Sequence, residues 1–273
     1  MDELEKLMLE IGEDGYITDM EYLQYILEKE KESRERVLQM IALYFSVKTG
    51  KSKLMKSIFK EVDSLFDTVE ESFQKTIADT YRETFLKTVY NVGKTVGMRD
   101  FSIPDLPNMK WHIGKQSYID DLMYYRNRLK YDLRKNINKG IILNQSTSEI
   151  DMIVDKPFKT LLNSTKRMAD TELAYVERQA NSDAFESQGM EQYKFVATLD
   201  TVTCDVCADL DGKVFNIKDK EVGVNYPPIH PSCRCCVVGN IDFTQRAARN
   251  TDGKTIYVDG NMTYEEWKQK YGK

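Results

Sequence analysis

The first 103 residues contain no proline, and apolar side chains recur through them at helical spacing. Nothing in that stretch locks a backbone angle against helix or removes a backbone donor. From Ser52 to about Val92, the residues Ile58, Val62, Leu65, Val69, Phe73, Ile77, Tyr81 and Phe85 step mostly by four. Steps of four overshoot the 3.6-residue period, so the stripe winds slowly around the helix. Such a helix must bend or touch more than one neighbour. Upstream, Asp19 can cap a second helix running to Phe45, with Tyr22, Ile26, Val37, Ile41 and Tyr44 in phase. A charged break lies between Glu28 and Arg36. These are core-packing signals and carry no chemistry.

Pro104 and Pro107, in FSIPDLPNMKW, break the helical run and mark a boundary. Helix resumes near Tyr118 and runs to about Lys139, where Gly140 can end it. Ser146 and Glu149 stand in capping-box spacing. Pro157 then fits the first turn of another helix, which ends before Gly189. Beyond it the pattern changes to short strands: YKFVATL, Lys213–Phe215, Cys235–Val238 and KTIYVDG. Thr263 and Glu266 cap a final short helix, TYEEWKQKYG. The fold class read from this order is α+β and mostly helical, with long N-terminal helices and a small β-rich module near the C-terminus. The regions expected are 1–103, 104–190 and 191–273.

The formal charge of −5 carries no global nucleic-acid signature, but it is unevenly spread. Residues 1–50 hold twelve acids against six bases, whereas residues 110–140 hold eight bases against three acids. An acidic head beside a basic middle suits a partner surface or pairing within the chain. The bases Arg126, Arg128, Lys130, Arg134 and Lys135 share their helix with Tyr124, Tyr125 and Tyr131. Basic residues interleaved with aromatics can bind nucleic acid, but tyrosines at helical spacing are more often half-buried packing, and that reading is preferred. No run approaches the ~20 apolar residues of a membrane span, and the acidic N-terminus lacks the pattern of a signal peptide. A reducing cytosol is therefore the expected place of synthesis, where clustered cysteines bind metal or do redox chemistry more often than they form disulfides.

All five cysteines lie between Cys204 and Cys236, together with one of the two histidines, His230. Cys204-x2-Cys207 places two thiolates where both can reach one ion. After a gap of 22 residues comes His230-x2-Cys233-x-Cys235. Two soft ligands from one segment and two from another make a closed tetrahedral zinc site. The candidate ligands are four of Cys204, Cys207, His230, Cys233 and Cys235, with His230 and Cys233 the first choice beside Cys204 and Cys207. In an extended stretch Cys236 points away from Cys233 and Cys235, so it is read as a buried neutral thiol. Prolines 227, 228 and 231 stiffen the approach and exit, which lowers the entropy lost on binding. Two other readings stay open. A C-x-x-C redox centre sits at a helix N-terminus in a βαβ context, and this one is read as a loop between strands. Disulfides become available if the protein leaves the cell.

His112, beside Trp111, reads as a packed or solvent-facing residue. No phosphate loop, G-x-S-x-G or H-E-x-x-H occurs, and two histidines leave little acid–base material at neutral pH. The chain is read as a non-enzyme.

A longer pattern joins these pieces. Trp111 is followed by the basic helix, then ADTELAYVERQANSDAFESQG, FVATLDTVTCDVCADLDGKVF and PPIHPSCRC. In its Thr171-Glu172, Asp200, Cys204, Cys207, Asp211-Gly212, Pro228, His230-Pro231 and Cys233-Arg234-Cys235, residues ~110–240 resemble the phage head morphogenesis, or minor capsid, family, also called Mu F-like. The closing TYEEWK is also similar to the tail of such proteins. The resemblance implies a virion component made in few copies, inside the head at the portal vertex. Its implied partners are the portal protein first, with the scaffold or major capsid protein and packaged DNA as further ones. The implied role is head assembly and DNA packaging or delivery. Some relatives carry a fused toxin or ADP-ribosyltransferase domain. The segment after the Cys/His module is expected to be too short for one. Zinc is a chemical inference from the donors and is not implied by the family.

Overall fold

The computed structural model describes residues 18–106, 117–143, 147–241 and 244–271. Among these residues are six α-helices and five short strands. Helices α1 (Thr18–Ser46), α2 (Lys51–Val96), α3 (Tyr118–Leu143) and α4 (Thr147–Ser187) come first. Then follow β1 (Gln192–Val196), α5 (Asp205–Leu210), β2 (Val214–Asn216), β3 (Cys236–Gly239), β4 (Gln245–Arg249), β5 (Thr255–Asp259) and α6 (Tyr264–Tyr271). The architecture is the mostly helical α+β arrangement expected. Pro107, Trp111, His112 and Ser146 lie outside the described residues.

The chain contacts divide into two compact units, and the division falls inside α2 and α4. One, the helical unit, holds residues 18–78 and 117–170; the other, the Cys/His unit, holds 79–106, 171–241 and 244–271.

In the helical unit the apolar stripes are buried as their spacing requires. Ile58, Val62, Leu65, Val69, Phe73 and Ile77 of α2 are all buried. Phe73 packs its ring near those of Tyr22 (5.4 Å) and Tyr118 (5.1 Å). Helix α1 does not break between Glu28 and Arg36. Its buried stripe runs Tyr22, Ile26, Glu30, Ser33, Val37, Ile41 and Tyr44, so two polar residues hold core positions and the helical phase is unbroken. The charged residues between them pair at the surface, Lys29 with Glu32 and Arg36 with Glu61.

Two helix ends differ from the sequence reading. Helix α3 passes through Gly140 to Leu143. A single glycine costs a helix only about 1 kcal/mol, and Gly140 is buried there. Likewise, Pro157 does not start a helix but sits inside α4. A proline leaves the carbonyl four residues earlier without its donor. Here that carbonyl, of Ile153, accepts a hydrogen bond from Asn136 Nδ2 at 3.1 Å. A side chain of α3 thus restores the bond that Pro157 removes. Helix α4 ends at Ser187, and Gly189 just beyond it has a φ of +73° that suits glycine. Met190 N–H donates to Phe185 O and Gly189 N–H to Glu186 O, closing the last turn.

The Cys/His unit has an antiparallel sheet of order β2-β1-β3 and a β4–β5 hairpin. Tyr193 faces Phe215 on one side and Gly239 on the other. Around the sheet Val92, Phe185, Tyr193, Ile217, Tyr226 and Val237 form one apolar cluster. Leu199, Ala248, Val258, Tyr264 and Trp267 form another, under the hairpin and α6. The capping box at α6 is made: Thr263 N–H donates to Glu266 (2.8 Å), and Glu266 N–H to Thr263 Oγ1 (3.3 Å). Strand β4, QRAAR, has no β-branched or aromatic residue and gives no strand signal in the sequence.

Candidate metal centre

The centre is built by two segments. The first is the start of α5, which corrects the loop reading of this stretch. Cys204 is the N-cap of α5, and its Sγ accepts from Cys207 N–H at 3.5 Å. A sulfur here takes the place of the usual capping oxygen, which is why the helix start is hard to see in sequence. The redox reading thereby gains the helix N-terminus it lacked. It still lacks the βαβ context, because β1 pairs only antiparallel strands. The second segment is the loop Ile229–Cys235, which leads into β3.

These segments gather all five candidate donors. Cys204, Cys207 and His230 form one trio whose ligand atoms lie within 4.8 Å of one another; Cys207, Cys233 and Cys235 form a second. Cys207 belongs to both. Its Sγ lies 3.7 Å from His230 Nε2 and 3.9 Å from Cys233 Sγ. Donors held 2.0–2.3 Å from a tetrahedral zinc stand roughly 3.3–3.8 Å apart, so these two separations match tetrahedron edges closely. They are far from the ~2.05 Å of a disulfide, and all five cysteines are free thiols. Cys207, Cys233 and Cys235 are buried against Phe195 and Ala197, with Leu210, Phe215 and Ile229 around them. Cys236 is in neither trio, as the strand alternation requires, and burial pushes its thiol up.

The protonation chemistry suits a cation. Hydrogen bonds to Cys233 and Cys235, with burial, push the Cys207 thiol up. Cys233, which accepts from both, is held well below the usual thiol range. The buried trio therefore favours one thiolate served by two S–H donors, and a divalent ion would displace the remaining protons. Burial pushes Cys204 up, but hydrogen bonds from Cys207 and the nearby His230 outweigh it and leave that thiol below its ordinary value. His230 Nδ1 lies 2.9 Å from Pro231 O. Donation to that carbonyl places the proton on Nδ1 and leaves the Nε2 lone pair facing Cys207. A second-shell carbonyl fixes the tautomer of many metal-bound histidines in this way. Burial lowers the imidazole, but the Pro231 carbonyl and the thiols of Cys233 and Cys204 raise it overall.

A frame of polar contacts holds the donors. Arg234 pairs with Asp200, at 3.0 Å in one of its two contacts. Burial pushes the Asp200 carboxyl up, but Arg234, Thr203 and the Val202 N–H bring it below the usual carboxylate range. Asp211, with its side chain 1% exposed, ends α5 and accepts from Ala197 N–H (2.8 Å), Tyr264 N–H (2.7 Å) and the Arg246 guanidinium (3.0 Å). One carboxylate therefore ties β1, α5, β4 and α6 together. Gly212 follows with φ +76°.

The basic helix is split by the structure. Arg126 pairs with Asp67 and Lys130 with Asp63, both acids of α2. Arg128 pairs with Asp132 one turn along. Arg134 lies 4.8 Å from the centre of the Phe59 ring, and Lys135 is exposed. Tyr124, Asn127, Arg128, Tyr131, Arg134, Lys135 and Asn138 of α3 are exposed, with Asp132 beside them on Arg128.

Residues 127–238 match the model of the family described as Phage Mu protein F like protein. The matched segment runs from α3 to β3 and includes all five candidate donors, so the family resemblance read from the sequence holds over this span. It points to a phage head or capsid-related protein. No curated protein and no solved structure matches the chain. Among the described residues, no helix is long and apolar enough to cross a membrane.

Proposed function

We propose that this chain is a non-catalytic minor head protein of a phage, seated inside the capsid at the portal vertex, whose Cys/His centre holds a structural zinc ion. The observation that carries the reading is the Mu F-like match over 127–238, which ends just past the last donor. Portal protein is the proposed partner, with scaffold or major capsid protein and packaged DNA as further contacts. Zinc would be held by Cys204, Cys207, Cys233 and His230, or with Cys235 in the place of one of them. Bound there it would supply structural cross-linking, since a site closed by four protein ligands leaves no position for substrate. Two experiments test the reading. Procapsids purified with their portal should contain the chain in few copies, and particles assembled without portal should lack it. Equal incorporation into both would sink the portal placement. Native mass spectrometry should find one zinc per chain, removed by a chelator, and a metal-free folded protein would sink the zinc.

A second reading is favoured by the exposed Tyr131, Arg134 and Lys135 of α3: a zinc-dependent nucleic-acid-binding protein outside any capsid. It requires salt-sensitive DNA binding that disappears when Arg128, Arg134 and Lys135 are reversed in charge. Arg126 and Lys130, already paired to Asp67 and Asp63, should contribute less.

A further inference from the structure

Three of the five donors sit on the loop Ile229–Cys235, and that loop has two faces. One presents His230, Cys233 and Cys235 toward Cys207. The other lies on α4. Ser232 N–H donates to Thr171 Oγ1 at 3.0 Å. Arg178 donates through both Nε and an Nη to Cys235 O, each at 3.1 Å. Just before the loop, the Tyr226 hydroxyl donates to Arg178 O. Ser232 has φ +59°, a left-handed conformation unfavourable for a residue other than glycine. It aims the N–H at Thr171.

The loop is tied down elsewhere too: Arg234 pairs with Asp200, and its carbonyl accepts from Thr198 Oγ1 at 3.1 Å. On the donor face an ion would hold two or three side chains of the loop at once and join them to the cysteines of α5.

We infer that a thiolate-bound divalent metal works this loop as a clasp on α4, pinning it to Thr171 and Arg178 when loaded and releasing it when the metal leaves. The inference rests on the zinc reading above and adds what the ion controls. The clasp is local, because the hairpin β4–β5 and α6 have their own apolar cluster. It also gives a physical reason for a pattern that joins Thr171 to His230–Cys235 across some sixty residues of sequence: they are two halves of one device.

The test is hydrogen exchange of the full chain, read by mass spectrometry, with Zn(II) and then with a chelator. Removing zinc should speed exchange about tenfold, the scale of losing a hydrogen bond or two, in peptides covering 226–238 and 171–182. Peptides covering 245–259 and 264–271 should not change. Thr171→Val should speed exchange of the loop in the zinc form while native mass spectrometry still counts one zinc. If zinc leaves and 171–182 keeps its protection, the clasp is wrong and the zinc site stands. If 192–271 loses protection as a whole, the ion is a global staple and the clasp is again wrong. If no zinc binds, both readings fall.

Discussion

The helical unit and the Cys/His unit are ordered by different means. In the first, a long series of apolar residues at helical spacing is buried along α1 and α2, and each makes a modest share of the total. In the second, a few atoms have many dependents. Asp211 alone accepts from Ala197, Tyr264 and Arg246, and Cys207 alone belongs to both donor trios. Distributed packing tolerates the loss of a single residue, whereas a shared node does not.

Four changes test that contrast. Asp211→Ala should have the largest effect. It leaves Arg246 buried without its partner, which costs about 3–5 kcal/mol, and it orphans two backbone donors. Urea unfolding followed by Trp267 fluorescence, in a Trp111→Phe background, should show this loss; a change below 1 kcal/mol would contradict the hub role. Next comes Cys207→Ser, which removes the donor common to both trios. At zinc a thousandfold above its Kd, the lost binding is worth about 4 kcal/mol. Native mass spectrometry should then count no zinc, and hydrogen exchange of peptides covering 226–238 should be the same with and without a chelator. Cys236→Ser should keep the difference.

In the helical unit the largest single effect should depend on pH. Glu30 is buried beside Ile26, Leu65, Phe66, Val69, Leu161 and Leu162. Burial pushes its carboxyl up to about 7, against the lowering effect of Arg34, which itself pairs with Asp155. The folded state therefore keeps a proton that the unfolded chain loses near the ordinary carboxylate value. Stability should fall as pH rises from about 4.5 to about 7, by up to ~3 kcal/mol, and stay level above. Glu30→Gln should flatten this profile, as measured by denaturation followed by helical circular dichroism. A profile unchanged by the substitution would contradict it. Smallest of the four, Ile58→Val should cost only about 1 kcal/mol, even though Ile58 is fully buried.

The two units were also unequally legible. Apolar spacing locates α1 and α2 because their burial is periodic, and it fails where the stripe turns polar, at Glu30 and Ser33. Cysteine spacing picks out the five side chains that the fold brings together and separates out Cys236. The supports of the centre are another matter. Arg178 binds the Cys235 carbonyl from 57 residues away, and no local rule relates them. Thr171 and Asp211 belong to the family pattern, but the pattern assigns them no partner. The start of α5 is hidden because sulfur caps it, and β4 is hidden because its register comes from pairing with β5 and not from its own residues.

The bond from Asn136 to the Ile153 carbonyl has a consequence for how this sequence can change over time. That bond has value only while position 157 is proline. With alanine there, the helix would satisfy the carbonyl by itself, and Asn136 would be free to drift. With proline present, losing Asn136 leaves an acceptor without its donor. The two positions are therefore epistatic, and the order of substitution matters: Pro157 can be replaced first at little cost, whereas replacing Asn136 first cannot.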